Sequence, residues 1–444
     1  MGGKSLHGFR QPSRRPADAA VRFRADLSSP RCSTAPCTTA LADRVGMTAD
    51  RSCEPSKNER HHYLDYLRAI LMFLGIPYHA ALAFSSHQAW IVEAERDSAL
   101  LSWAAQFSHT FRMPVFLLIA GFFAMMLCQR RPGSWWRSRL VRLGVPLAAA
   151  TILINPLLML GRALWQAEPS QVLDLWLSML ATPGEPWVSH LWFLIDLLIY
   201  SSILAVLLRL RWMPALARRA DKVAGLMASR WWVAPGLLLF SGVAALGTVV
   251  ALSVLGLNST LHGMLVLART SAHLPVFLCG AALALRRDWL DRFTRIHWWM
   301  WAAGLVLAAA LAAVQWRDED IYRAVTFFLM PVVGILFAHI LMSGMRACFQ
   351  GANRLVQIAV DSSFTVYLVH QVFIVFGVVL MMGSGIPVLL QFVLLVAAST
   401  ILSLGFHQQL VRRRPVLRLL FNGVLPERAA PLAGAAAAPR AGRI

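Results

Sequence analysis

Arg68 and His79 share one apolar stretch, YLDYLRAILMFLGIPYHAALAF (residues 63–84). They stand eleven positions apart, with ten residues between them. In a helix that spacing returns the chain to within about 20° of the same face and advances it by about 16 Å, roughly half the hydrocarbon thickness of a bilayer. Ionisable side chains on one stripe of an apolar helix face a polar cavity, because charge in hydrocarbon is costly. Each residue alone has a plainer reading, Arg68 as a snorkelling anchor and His79 as an interhelical hydrogen-bonding group. The pair argues for a site. Pro77 lacks a donor, which frees the carbonyl of Phe73 and permits a kink beside the histidine. An imidazole base with arginines nearby suits acyl transfer: the imidazole removes a hydroxyl proton, and a cation or backbone donors steady the oxyanion. The same residues suit an anion carrier or channel with no chemistry at all.

More residues of this kind follow. FSHTFRMPVFLLIAGFF places His109 and Arg112 one helical turn apart within a second apolar run. Arginine keeps its charge in proteins, and inserting one at mid-membrane costs about 2.5–3.5 kcal/mol on the mildest scale. Arg112 must therefore face water, a carboxylate or a ligand. In WWRSRLVRLGVP, Arg139 and Arg142 stand one turn apart, and they suit phosphate ligands and lipid headgroups equally. His190 in SHLWFLID either meets a substrate or sits at the interface. Asp196 in the same run is the nearest candidate partner for a buried arginine. Arg269, His273 and the His370 of SSFTVYLVHQ fit packing at least as well as chemistry. No HxxxH, HExxH, CxxC, Walker A, GxGxxG or GxSxG pattern occurs, so no metal site is expected. His61 and Asp65 spell HxxxD at the membrane edge, a match short enough to arise by chance. The six cysteines read as plain buried thiols.

These residues need membrane helices to position them. The 444-residue chain is 57% hydrophobic and only 14% charged, against about 25% charged in soluble domains. Ten apolar runs are long enough to span: 63–85, 100–128, 140–160, 189–209, 233–256, 261–285, 297–315, 322–342, 361–382 and 386–410. With no alternating, barrel-like pattern, a helix bundle is the spanning solution left. The net charge of +20 sits in clusters between runs, which indicates topology and not nucleic-acid binding. Arg130 to Arg142, Arg209 to Arg230, Arg286 to Arg295, Arg346 with Arg354, and Arg412 to Arg418 fill alternate loops. The intervening loops carry Glu93, Glu95 and Asp97 or Asp318, Glu319 and Asp320. The expected fold is an all-α polytopic bundle of about ten transmembrane helices with both termini cytoplasmic. Residues 1–60 and 426–444 read as disordered tails around a domain at 61–425, and Met47 is an alternative start. Segment 165–187 is too polar to span and reads as an interfacial helix.

The motifs LDYLRAILMFLGIPYHAAL, SSH, FSHTFRMPVFLLIAGFF, WWRSRLVRLGVP, SHLWFL, LPVFLCGAALA and SSFTVYLVHQ together resemble the membrane acyltransferase 3 family, more narrowly its glucan biosynthesis protein C group. The resemblance spans about residues 62–425. It places the family's arginine, ten residues, histidine motif on Arg68 and His79, and its arginine pair on Arg139 and Arg142. It implies transfer of an acyl group across a bacterial inner membrane, from cytoplasmic acyl-CoA to a sugar hydroxyl outside. The group is associated with succinylation of osmoregulated periplasmic glucans; acetyl is the rival acyl group. His79 is then the general base, and Arg68 orients the donor or supports the histidine. Arg112 holds the oxyanion or a succinyl carboxylate, and Arg139 with Arg142 hold the phosphates of coenzyme A. His109, His190 and His370 are acceptor-side candidates. Acyl-CoA (succinyl-CoA or acetyl-CoA) enters as donor substrate, with no bound cofactor expected. Glucan-synthesis proteins are possible partners. The competing expectations are an exporter of glycan or acylated product, and an integral scaffold for glycan synthesis.

Overall fold

The computed structural model describes residues 62–86, 90–130, 133–210, 213–349 and 354–425, all within one compact unit. Both expected tails, His61 and the His87 of the SSH motif lie outside the described residues.

The opening stretch forms two helices, α1 (His62–Phe73) and α2 (Gly75–Leu82), joined at Leu74. The break falls just ahead of Pro77, whose missing N–H cannot pair with the Phe73 carbonyl. By contrast α3 (Ala99–Arg130) runs through Pro114 unbroken. Next, α4 (Trp135–Arg139), a π-helical turn (Leu140–Gly144), α5 (Val145–Leu153) and α6 (Asn155–Gln166) follow almost end to end. The polar segment after them contains α7 (Val172–Ala181), tied to α6 by the Trp176 indole donating to the Pro156 carbonyl at 2.9 Å.

A 3-10 turn at Ser189–Leu191 leads into α8 (Trp192–Arg209). The basic stretch after it, expected as a loop, folds into α9 (Met213–Ser229), with Arg218, Arg219 and Lys222 exposed. Then come α10 (Val233–Val254), α11 (Leu267–Leu283), α12 (Arg287–Phe293), α13 (Trp298–Val314) and α14 (Asp320–Cys348). The chain closes with α15 (Arg354–Met381), α16 (Val388–Phe406), a second π-helical turn (His407–Val411) and α17 (Pro415–Asn422). The run at 261–285 becomes helical only from Leu267. Leu261 and His262 have φ of 54° and 55° and form a turn that a helix cannot continue.

The fold is all-helical among the described residues apart from one isolated bridge, Thr260 to Leu265. Among the described residues, seven stretches are long and apolar enough to cross a membrane: 99–130, 135–166, 189–209, 233–254, 320–348, 356–381 and 388–411. The other three runs become the broken pair α1–α2 and the 17-residue helices α11 and α13. Outward faces carry Phe240, Val254, Val306, Leu380 and Ile401, all exposed. Leaving such side chains in water costs about 1.5–3 kcal/mol each, so these faces suit lipid, and the chain is a multi-pass membrane protein.

Helix α3 is the axis of the core, with α11, α14, α13 and α2 packed on it. It crosses α11 where Gly121 meets the Phe277 carbonyl and Gly280 meets the Leu118 carbonyl. No Cβ fits at either glycine, and this small-residue contact lets two backbones touch. The cysteines depart from expectation: Cys128 is buried, but Cys348 at the end of α14 is exposed, because the helix has by then left the packed core.

Candidate active site

A cavity of about 80 Å³ lies among α1, α2, α3, the turn before α8, and α15. Tyr78, His79, His109, Arg112, His190, Trp192 and Tyr367 line it, with Leu71, Met72, Met113, Phe116 and Phe193 forming its apolar walls. That volume holds a few waters. His79 is partly exposed, whereas Arg112 is only 7% exposed.

Arg112 is held without a counter-ion. Its guanidinium lies 4.1 Å over the Tyr78 ring, a cation–π contact strengthened by burial. Among the described residues no carboxylate lies within 4.0 Å of it, and its Nε has no hydrogen-bond partner. Glycine at position 75 makes the arrangement possible. A Cβ there would stand 2.9 Å from Arg112 Nη1 and 3.6 Å from His370 Nε2. The helix break at Leu74 thus puts a bare backbone where the cation and the second histidine meet.

The four candidate histidines gather at this one site. His79 and His370 have ring centroids 5.2 Å apart, and His370 and His190 5.8 Å. His370 Nδ1 lies 3.0 and 2.9 Å from the Val366 and Tyr367 carbonyls. Carbonyls only accept, so Nδ1 carries the proton and Nε2 keeps its lone pair. His109 shares a 3.1 Å hydrogen bond between its Nδ1 and the Tyr78 hydroxyl. The Tyr367 hydroxyl donates to the His190 carbonyl at 2.6 Å. His190 sits in the 3-10 turn and not in α8 itself, as the SHLWFLID run suggested.

Sequence reasoning missed Gln371. Its side-chain amide nitrogen lies 3.1 Å from His79 Nδ1, and the Ser189 hydroxyl donates to its oxygen at 3.4 Å. The available signal was a polar residue beside His370 inside an apolar run. Trp90 was also missed; its ring stacks near His79, with centroids 6.0 Å apart. Its loop is anchored by the Trp165 indole donating to the Glu93 carbonyl at 2.9 Å and by Glu95 accepting the Gly383 N–H at 2.6 Å.

Arg68 belongs to a second cluster. It stands 4.0 Å from Asp65 and 5.6 Å over the Phe123 ring. Arg139 and Arg142 are near enough to act on it electrostatically. Arg139 ends α4 and Arg142 lies in the π-helical turn, a feature found often at functional sites. The two are not on a regular α-helical turn as expected. Arg142 is exposed, Arg68 and Arg139 partly so. Leu71 and Met72 lie along α1 between this cluster and the cavity.

Among the described residues, Asp196 finds no arginine within ion-pair distance. It accepts the Thr270 hydroxyl at 2.7 Å, and the Tyr200 hydroxyl donates to the Thr270 carbonyl at 2.6 Å, joining α8 to α11. Arg269 stacks 4.1 Å over Trp192, which also stacks on His273.

Comparison with known proteins accords with this chemistry. The Acyl_transf_3 acyltransferase domain matches residues 61–408. Glucans biosynthesis protein C of Salmonella gallinarum is 28% identical over 389 residues, covering 83% of this chain and 96% of the relative. The protein of the same name from Escherichia coli K12 is 29% identical over 387 residues, with the same coverage. No solved structure matches. The chain is an O-acyltransferase and belongs to the Acyl_transf_3 family.

Proposed function

We propose that the chain carries an acyl group from acyl-CoA on the cytoplasmic side to a hydroxyl of a glycan on the outer side of the bacterial inner membrane. The observation that carries this reading is His79 lining the cavity beside Arg112, a buried cation with no carboxylate within 4.0 Å among the described residues. A fixed positive charge without a counter-ion stabilises a developing anion more than a neutral ground state.

In the proposed step, His79 takes the proton of the acceptor hydroxyl. The hydroxyl oxygen attacks the thioester carbonyl, and Arg112 holds the resulting oxyanion. Collapse breaks the carbon–sulfur bond, and the imidazolium returns its proton to the departing thiolate. Ester and free coenzyme A are the products, and no other reactant is needed. Arg139 and Arg142, with Arg68, form the basic mouth for the phosphates of coenzyme A. The apolar wall at Leu71 and Met72 suits the pantetheine arm between that mouth and the cavity. His109, His190, His370 and Trp90 flank the side from which the acceptor arrives.

The acyl group in this reading is succinyl or acetyl and the acceptor an osmoregulated periplasmic glucan; the relatives' name, glucans biosynthesis protein C, supports the glucan part. For a succinyl donor, Arg112 also suits the free carboxylate. The ends of the described chain support ten crossings with both termini cytoplasmic. Arg68 near the start is close enough to Arg142 to act on it electrostatically, and Gly423 near the end lies against Arg142, which supports an even number of crossings. The seven long stretches with α1–α2, α11 and α13 make ten.

Mass analysis of periplasmic glucan from a deletion strain tests the reading. The expected result is normal glucan lacking its acyl substituent, restored by the wild-type gene and not by His79→Ala. Loss of the glucan itself from the periplasm would favour an exporter.

A further inference from the structure

We propose that the Gln371 amide, seated by the Ser189 hydroxyl, orients the His79 ring and, with its oxygen turned to Nδ1, holds the tautomer whose Nε2 is the base, so that both are positioning residues for the base. This rests on the proposed role of His79. Gln371 is fully buried on α15, at 1% exposed. A buried amide is costly unless its donors and acceptor are paired, and its side-chain partners are His79 Nδ1 and the Ser189 hydroxyl.

An amide presents an acceptor at one end and donors at the other, and a half-turn of its last torsion exchanges them. A serine hydroxyl both donates and accepts, so Ser189 satisfies either orientation. With the amide oxygen on His79, Nδ1 carries the proton and Nε2 keeps its lone pair. With the amide nitrogen there, Nε2 carries the proton and is no base. In the structure the amide nitrogen lies 3.1 Å from Nδ1 and the oxygen accepts from the Ser189 hydroxyl. The working orientation is the half-turn alternative, with the oxygen on Nδ1–H and the amide nitrogen donating to Ser189; amide oxygen and nitrogen exchange without moving the side chain. The Nδ1 proton then stays with the amide throughout the reaction. Nε2 receives the acceptor's hydroxyl proton and returns it to the thiolate.

The backbone under Ser189 gives a second, independent observation. Ser189 is a non-glycine residue at φ 44°, the left-handed region that side chains disfavour. The turn is pinned on both sides: Asn155 donates to the Trp187 carbonyl at 2.5 Å, and Tyr367 donates to the His190 carbonyl. Strain is therefore held at the residue whose hydroxyl reaches the amide. The neighbouring groups leave this task to Gln371. His370 Nδ1 is committed to carbonyls of its own helix. The charged and titratable groups facing His79 are Arg112 and His109 from α3, His190 from the turn, and His370 from α15, with Tyr78 beside it on α2. None is an anion. A neutral amide orients the ring without supplying a negative charge that would pair with Arg112 and cancel it.

The test is steady-state transfer by the full-length protein, with acetyl-CoA or succinyl-CoA and periplasmic glucan as substrates. Gln371→Leu should lower kcat by about 10–100-fold and leave KM for the thioester within about twofold. Ser189→Gly removes the hydroxyl and relieves the strained φ, so kcat should fall roughly three- to tenfold while thermal stability holds or rises. A structural role would move both together. If Gln371→Leu fails to insert, Ser189→Gly decides alone. Unchanged kcat in both variants, with His79→Ala inactive, overturns the proposal. So does a loss in Ser189→Gly matched by lost stability. Activity in His79→Ala would instead remove the base assignment, and this proposal with it.

Discussion

Two groups of arginines lie along the path followed by α1 and α2, and their surroundings differ. Arg68, Arg139 and Arg142 are partly or fully exposed, and Arg68 has Asp65 nearby. Where these charges reach water, salt screens them. Arg112 is buried against Tyr78 with no carboxylate within 4.0 Å among the described residues. The first group suits reversible capture of a polyanion. The second is a preorganised charge in a low-dielectric pocket, where it acts most strongly on charge that appears during reaction. One residue type thus serves binding at one end and chemistry at the other.

That contrast can be broken in four ways. The largest effect is expected from His79→Ala, which should lower kcat by about 10³-fold while the protein still inserts; single-turnover transfer to glucan measures it. Arg112→Gln should follow, with kcat down about 10²–10³-fold and thioester affinity little changed. An equal effect on KM would instead make Arg112 a binding residue. Gly75→Ala should cost about 10²-fold in kcat, because the new methyl displaces Arg112 Nη1 and crowds His370 without touching charge. The smallest effect belongs to Arg139→Ala with Arg142→Ala, expected to raise KM for acyl-CoA roughly tenfold at constant kcat. The wild-type KM should rise with ionic strength, and that slope should flatten in the double variant. A salt-sensitive kcat would contradict the division of labour.

The pattern of apolar runs and basic loops made the all-helical bundle legible, since membrane insertion imposes it on composition. Gathering of His79, Arg112, His109, His190 and His370 was foreshadowed, because each is a polar residue that hydrocarbon would reject. Which of them touch was not. Arg68 and His79 sit in different clusters, Arg68 beside Asp65 and Phe123 and His79 in the cavity, a division the spacing alone did not reveal. The π-helical turn likewise changes the spacing of Arg139 and Arg142. Gln371 stood out only as a polar residue beside His370 in an apolar run, and a positive φ at Ser189 has no sequence signature. The helix at 213–229 was missed because its charged residues read as a loop.

The most direct measurement places the reactants on opposite sides of a membrane. Proteoliposomes holding periplasmic glucan inside receive labelled acyl-CoA outside. The account predicts label on the enclosed glucan with the wild-type protein and none with His79→Ala. Label appearing only when glucan and thioester share one compartment, or persisting in His79→Ala, would contradict it.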